Sequence, residues 1–431
     1  MTLSSSKSPV RFWPALVAAL LTFFPLLQNQ RDFRALFYFE DEWDLLNFWD
    51  QRGFGPWAGQ VFAENFVPFF KTIWGGSILF FDGSYFALIV LLWLTHALNA
   101  ALLCRIAQRL GCGVSVALLT AAVFGLSPLH YESLGWSVQW SAVLALTFAL
   151  LGLLAVAPGA TAELATPGWK QAAMACACSL ASALCFSRGV VTGPALALVL
   201  LLTGARTESW AIRTAKMSLV LLPSLAVGIV IASASSGNHQ HLRDALHPAT
   251  NFALHYFGES PLRTLFSETP VGDGPALALA LVHLALAGIA WKLATPRLRP
   301  LVAALLAFEI GNAVLLGIGR YHTGIPSAGG SRYQYSALAG LLPLAALIAQ
   351  RLLILFPRRW GEALTVAALA GIIWHAAVHW PPTMHSWRTW RGEQLRAALA
   401  QPNFPKDDHF TRLPWMTNER ARELVTRFSL H

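Results

Sequence analysis

What most constrains this chain is the recurrence of apolar stretches long enough to cross a lipid bilayer. A helix needs about 20 apolar residues to span the hydrocarbon, and lipid offers no partner for stray backbone groups, so every crossing segment must be helical. By that ruler about eleven segments qualify, near 12–28, 84–104, 113–127, 138–157, 171–187, 189–204, 215–234, 275–293, 299–318, 333–355 and 362–380. The third, fifth and sixth are short, which tilt, re-entry or burial by neighbouring helices would accommodate. The expected fold class is all-α, a polytopic transmembrane helix bundle.

Of the 431 residues 55% are hydrophobic and only 12% charged, which excludes both a soluble globule and a disordered chain. Little remains between the apolar segments to build a second core. The expectation is one membrane domain over 1–380 and a short outer tail over 381–431, ending in an amphipathic helix within PWMTNERARELVTRFSLH. The first apolar run follows Lys7 and Arg11 and resembles a signal peptide, but no small-residue cleavage site follows, so it reads as an uncleaved span.

The net charge of +9 is scattered in short clusters beside apolar runs instead of forming one basic stripe, which speaks for topology and against nucleic acid. A cytoplasmic N-terminus puts the basic loops on one side, from Arg105 and Arg109 through Arg206 to Arg358 and Arg359. The outer side then receives loops 29–83, 128–137, 235–274 and 319–332, with most of the acid and histidine. The first of these loops, and 235–274, mix aromatic residues with charge in the manner of interfacial amphipathic helices. The five cysteines read as small buried thiols, with neither a disulfide framework nor zinc spacing.

Against this background the stretch FYFEDEWDLLNFW is anomalous: Glu40, Asp41, Glu42 and Asp44 crowd together among aromatic residues. Carboxylates this close repel, and near a low-dielectric surface one of them is driven toward neutrality unless cations or a metal compensate. A solvated helix face accounts for Glu40 and Asp44. Asp41 and Glu42, between Phe39 and Trp43, are the candidates for chemistry. A second candidate is the outer turn after Pro128, with His130, Tyr131 and Glu132; its bland alternative is an interfacial loop with a Trp anchor. A third is the set Arg188, Arg320 and Arg332, outer cations with little acid nearby, whose guanidinium forks suit phosphate. Each could equally mark a span boundary. Within spans, His96, His283 and Glu309 read as core groups bonded between helices. No Gly-rich phosphate loop, HExxH or Cys/His cage stands out, which argues against soluble nucleotide chemistry.

Several of these stretches carry a resemblance: FEDEWDLL at 39–46, the segment 65–110 with its His96 and Asn99 step, Pro128 with His130, Glu132 and Trp136, and GGSRYQYSALAGL at 329–341. Together they resemble the membrane glycosyltransferases of the C superfamily, and within it the bacterial relatives of the protein O-mannosyltransferases, including those with tetratricopeptide repeats. The likeness covers about the first 150 residues and beyond them mainly the span pattern. Two departures stand out. No repeat array follows the last span, and Ser187 and Arg188 stand where some relatives carry a Lys-Glu pair.

The resemblance implies a polyprenyl-phosphate sugar as donor and a hydroxyl on a glycan, lipid or protein as acceptor, at the periplasmic face of a bacterial inner membrane. Asp41 is expected as general base, with Arg188, Arg320 and Arg332 on the phosphate. Glu42 and Glu132 are expected to orient acceptor or sugar, or to hold a divalent cation together with Asp41, and His96, His130 and Tyr333 to contact substrate. The rivals are a flippase for lipid-linked saccharides, an O-antigen ligase or polymerase, and a structural membrane subunit.

Overall fold

The computed structural model describes residues 12–62, 65–158, 166–203, 208–235, 242–263, 272–388, 392–401 and 415–431. Lys7, Arg11 and Arg206, which belong to the expected cytoplasmic charge, lie outside the described residues. Helices follow one another along the chain: α1 (Trp13–Thr22), α2 (Phe24–Gln28), α3 (Gln30–Ala35), α4 (Asp41–Arg52), α5 (Phe54–Ala58), α6 (Pro68–Phe80), α7 (Tyr85–Arg109), α8 (Val114–Leu126), α9 (Tyr131–Gly135) and α10 (Trp140–Val156). The second half continues with α11 (Trp169–Cys185), α12 (Thr192–Thr203), α13 (Trp210–Ser235), α14 (Leu242–Arg263), α15 (Asp273–Leu293), α16 (Arg299–Arg320), α17 (Ser331–Leu353), α18 (Arg358–Arg388), α19 (Gln394–Ala400) and α20 (Asn418–Phe428). Among the described residues the only strand-like pairing is one bridge between Phe62 and Asn65.

Every expected apolar segment falls on a helix, but they are not equal. By length and composition 7 described helices can cross a membrane, or 8 if α8 and the bent continuation Pro128–Gly135 form one span. Trp13–Gln28 and Ser187–Thr203 are shorter apolar helices, and α11 has 17 residues. The protein is a multi-pass helical membrane protein. Its hydroxyl side chains obey the rule that polar groups in an apolar interior must find partners: Thr22, Thr95, Thr120 and Thr147 each donate back to the carbonyl four residues earlier.

The segment expected as the first outer loop, 29–83, is a folded element. Trp43, Trp57 and Trp74 are completely buried in protein, so its aromatic residues serve the core and not only the interface. Lys71 on α6 is buried too, donating to the carbonyls of Trp57 and Gln60 at 2.8 Å each. The C-terminal segment closes over this loop. Arg420 of α20 donates to Asn47 and Asp50 of α4 at 2.9 and 2.6 Å, and the Trp415 indole donates to Asp44 at 2.7 Å. Region 242–263 is a regular helix, α14, packed against α15 and α16.

Candidate active site

The acidic cluster separates as soon as it folds. Glu40, at the N-cap of α4, has φ 41° and ψ −117°, a conformation that favours glycine and costs about 1–3 kcal/mol in other residues. This turn starts α4 so that Asp41 borders a cavity of about 560 Å³. The next residue, Glu42, is fully buried and does not line the cavity. Its carboxylate accepts from the Phe39 N–H at 2.7 Å, the Ser137 hydroxyl at 2.5 Å, the Val138 N–H at 3.2 Å and the Tyr85 hydroxyl at 3.3 Å. Ser137 in turn accepts from the Trp74 indole at 2.8 Å. Glu42 thus joins α4, α6 and α7 to the turn before α10. Asp44 is buried, and burial pushes its carboxyl up, with the Trp415 hydrogen bond opposing and the Asp41 charge adding to the rise.

The cavity gathers side chains from distant parts of the chain. Glu40, Asp41, Asn65, Trp136, Arg188, Arg320, Arg332 and Tyr333 line it, as do apolar residues including Gly228, Ile231 and Ala232 of α13 and Leu315 and Ile318 of α16. Elsewhere on its surface α13 exposes Leu222, Leu225 and Ile229. Both α13 and α16 are long and apolar enough to cross a membrane.

Arg188 is the most telling of the cations. It sits in the short turn Ser187–Val191, which folds back so tightly that a Cβ on Gly189 would come within 2.0 Å of the Ser182 carbonyl oxygen. The Ser187 N–H donates to the Asn65 side chain at 3.2 Å, tying this turn to the first outer loop. The guanidinium carbon lies 5.0 Å from the Phe186 ring and 5.6 Å from the Tyr333 ring. Arg188 is only 6% exposed, and its Nε and Nη1 make no hydrogen bond among the described residues. A buried donor left unmade costs about 1–3 kcal/mol, and Arg320 and Arg332 are close enough to repel it. Such a cluster calls for an anion.

Arg332 is differently placed. Its backbone N–H donates to Glu132 Oε2 at 3.0 Å and its guanidinium pairs with Glu132 Oε1 at 3.5 Å. Glu132 is outside the cavity lining and acts by holding Arg332, which is also within electrostatic reach of Asp41. The three carboxylates Asp41, Glu42 and Glu132 therefore do not assemble into one donor set. Among the described residues no group of three or more His, Cys, Asp or Glu could hold a metal ion, and the expected divalent cation finds no fitting site.

His96 and His130 also lie outside the cavity lining. His96 Nδ1 meets the Tyr335 hydroxyl at 2.8 Å and Nε2 the Gly125 carbonyl at 3.2 Å, while Asn99 donates to Tyr335 at 3.0 Å and to the Val143 carbonyl at 2.9 Å. This network bolts α7, α8, α10 and α17 together. His130 is buried among the rings of His96, Phe124 and Tyr335. Both histidines, expected to contact substrate, are held in helix packing. Asn65 and Trp136 fall within stretches singled out in the sequence, but nothing in their local pattern distinguishes them as cavity residues.

No protein-family model matches the sequence, and the comparison with curated proteins gives no match. Among solved structures, the archaeal oligosaccharyltransferase AglB from Archaeoglobus fulgidus, in complex with an inhibitory peptide and a dolichol-phosphate, aligns with a TM-score of 0.50 and 15% identity over 94% of this chain. The chain shares its fold with this oligosaccharyltransferase. It covers 60% of the AglB chain. ArnT from Cupriavidus metallidurans, bound to undecaprenyl phosphate, aligns with a TM-score of 0.44 and 16% identity over 90% of this chain and 70% of its own. The apo form of the Archaeoglobus fulgidus oligosaccharyltransferase gives 0.47 and 14% over 95% of this chain and 60% of its own.

Proposed function

We propose that this protein is a glycosyltransferase that moves a sugar from a polyprenyl-phosphate donor to an acceptor hydroxyl. The observation that supports the reading is one cavity lined by Asp41, by three arginines and by apolar residues of α13 and α16, helices long and apolar enough to cross a membrane. A polyprenyl tail belongs among Leu315, Ile318 and Ile231; its phosphate belongs on Arg188 and Arg320; the sugar then reaches toward Asp41. The site faces the periplasm of a bacterial inner membrane, and the acceptor is a glycan, lipid or protein hydroxyl.

In the reaction the acceptor oxygen attacks the anomeric carbon and its proton passes to the Asp41 carboxylate. The bond from the anomeric carbon to the phosphate oxygen breaks with inversion, and polyprenyl phosphate leaves with the electron pair. An anionic phosphate needs no second carboxyl to protonate it, unlike the leaving group of an ordinary glycoside. The guanidinium groups stabilise the departing charge instead. Glu132 keeps Arg332 in place, and Glu42 keeps α4 in place.

Asp41→Asn tests the base. Loss of a general base lowers turnover by about 10²–10⁴-fold while polyprenyl phosphate still binds; transfer at the wild-type rate in folded protein would remove Asp41 from the role. Reconstituted vesicles separate this reading from a flippase, which would move the lipid-linked sugar without forming a new glycosidic bond.

A further inference from the structure

The turn that presents Arg188 has two holds on it. Ser187 is the first residue of the turn Ser187–Val191, and the leading N–H groups of a helical segment find no carbonyl within it. Gly189 donates to the Phe186 carbonyl at 2.8 Å. The Ser187 N–H instead donates to Asn65 Oδ1 at 3.2 Å, across 122 positions of sequence. The second hold is on α11, where a Cβ on Gly189 would press against the Ser182 carbonyl oxygen.

Asn65 is itself fixed. Phe62 and Asn65 exchange both backbone hydrogen bonds, at 2.9 and 2.8 Å, and α6 begins three residues later at Pro68. Lys71, in the first turn of α6, donates back to the carbonyls of Trp57 and Gln60. A side chain presented from a segment closed in this way gives up little freedom when it makes its bond. Asn65, Ser187 and Arg188 all line the cavity.

We propose that Asn65 is a positioning residue that fixes the turn at Ser187 so that the Arg188 guanidinium meets the phosphate of the donor, a proposal that rests on the polyprenyl-phosphate reading above. Arg188 follows Ser187 directly and is buried beside the Phe186 and Tyr333 rings, with Nε and Nη1 making no hydrogen bond among the described residues. The backbone of the turn therefore does much of the aiming. Asp41 is fixed separately, through the bonds of Glu42 on α4, so losing the Asn65 acceptor falls on donor binding and not on the transfer step.

The test uses the full chain in lipid nanodiscs and a polyprenyl phosphate without sugar as the binding probe. Asn65→Leu keeps the size of the side chain and removes the acceptor. Ser187→Pro removes the donor at the other end: proline lacks the N–H and suits the first position of a helical turn, and Phe186, at φ −157° and ψ 142°, already has the extended backbone that precedes proline. Ser187→Ala, which keeps the N–H, is its reference. Asn65→Leu against wild type and Ser187→Pro against Ser187→Ala each weaken binding by roughly threefold to tenfold, the effect of one hydrogen bond, and Asn65→Leu adds nothing once Ser187→Pro is present. In transfer assays Asn65→Leu raises the donor KM and leaves kcat within about twofold. Wild-type affinity in Asn65→Leu overturns the proposal, and so does an undiminished loss in the Ser187→Pro background, which marks a direct contact with the ligand or a general packing defect. If wild-type protein fails to bind polyprenyl phosphate, the donor reading itself falls and takes this proposal with it. Should the proline variant not fold, the comparison is made on Arg188→Lys, which keeps the charge without the fork: no added loss from Asn65→Leu supports the positioning role, and an undiminished loss overturns it.

Discussion

Glu42→Gln is the sharpest probe of how the acidic cluster is organised. The side chain is fully buried, and its two oxygens accept from two backbone N–H groups, those of Phe39 and Val138, and from the hydroxyls of Ser137 and Tyr85. Glutamine keeps the shape but has only one acceptor oxygen. Turned so that this oxygen serves Ser137, Val138 and Tyr85, it points its NH2 at the Phe39 N–H, donor against donor. The variant then loses one short charge-assisted bond, leaves a buried N–H without its carboxylate partner, and weakens the other three by removing the charge. One bond to a charged group is worth about 1.5–3 kcal/mol, so about 3 kcal/mol is a reasonable total cost. That is enough to release the start of α4 from the Ser137–Gln139 turn and to displace Asp41, and a displacement of about 1 Å in a reacting group costs on the order of 10²-fold in rate. Thermal unfolding in detergent, run beside a transfer assay, reads both effects, with an apparent Tm lowered by several degrees and turnover lowered in parallel. A variant as stable as wild type that has nevertheless lost turnover would refute the reasoning, because Glu42 would then be acting in the chemistry and not as a staple.

Three further outcomes follow from the same packing. Gly189→Ala places a Cβ 2.0 Å from the Ser182 carbonyl oxygen; forcing the turn open costs about 1–3 kcal/mol or more and should weaken polyprenyl phosphate binding as Arg188→Gln does, and wild-type binding would show that the turn has slack. Tyr335→Phe removes the hydroxyl shared by His96 and Asn99, at about 1–3 kcal/mol; it should lower thermal stability while donor KM stays unchanged, and a KM effect would give the histidine network a part in binding. Lys71 is lowered from its ordinary 10.5 to about 8, chiefly by burial and then by the charge of Arg52. Between those pH values the unfolded chain binds more protons than the folded one, so the Lys71 contribution to stability is complete above 10.5 and is lost as pH falls through 8. The stability difference between wild type and Lys71→Met should therefore rise across that window, and a flat difference contradicts the assignment.

Hydropathy along the chain was enough to locate every apolar helix, because the cost of exposing backbone to lipid is paid locally, segment by segment. It could not say which segments cross fully, since the bend at Ser127–Pro128 and the short helices Trp13–Gln28 and Ser187–Thr203 depend on what surrounds them. The resemblance of FEDEWDLL and GGSRYQY to one superfamily pointed to the fold now seen.

For the site, the linear chain marked Asp41, Arg188, Arg320 and Arg332 as charged groups out of place in an apolar background, a property of composition alone, and Tyr333 only through the resemblance. Their meeting around one cavity was decided by the tertiary structure, because the residues come from four separate regions of the chain and only helix packing sets the distances between them. The same holds for neighbours on one helix. Successive residues of an α-helix point about 100° apart, so Asp41 and Glu42 cannot share a direction; the turn at Glu40 and the donors around Ser137 determine that the first borders the cavity and the second is buried.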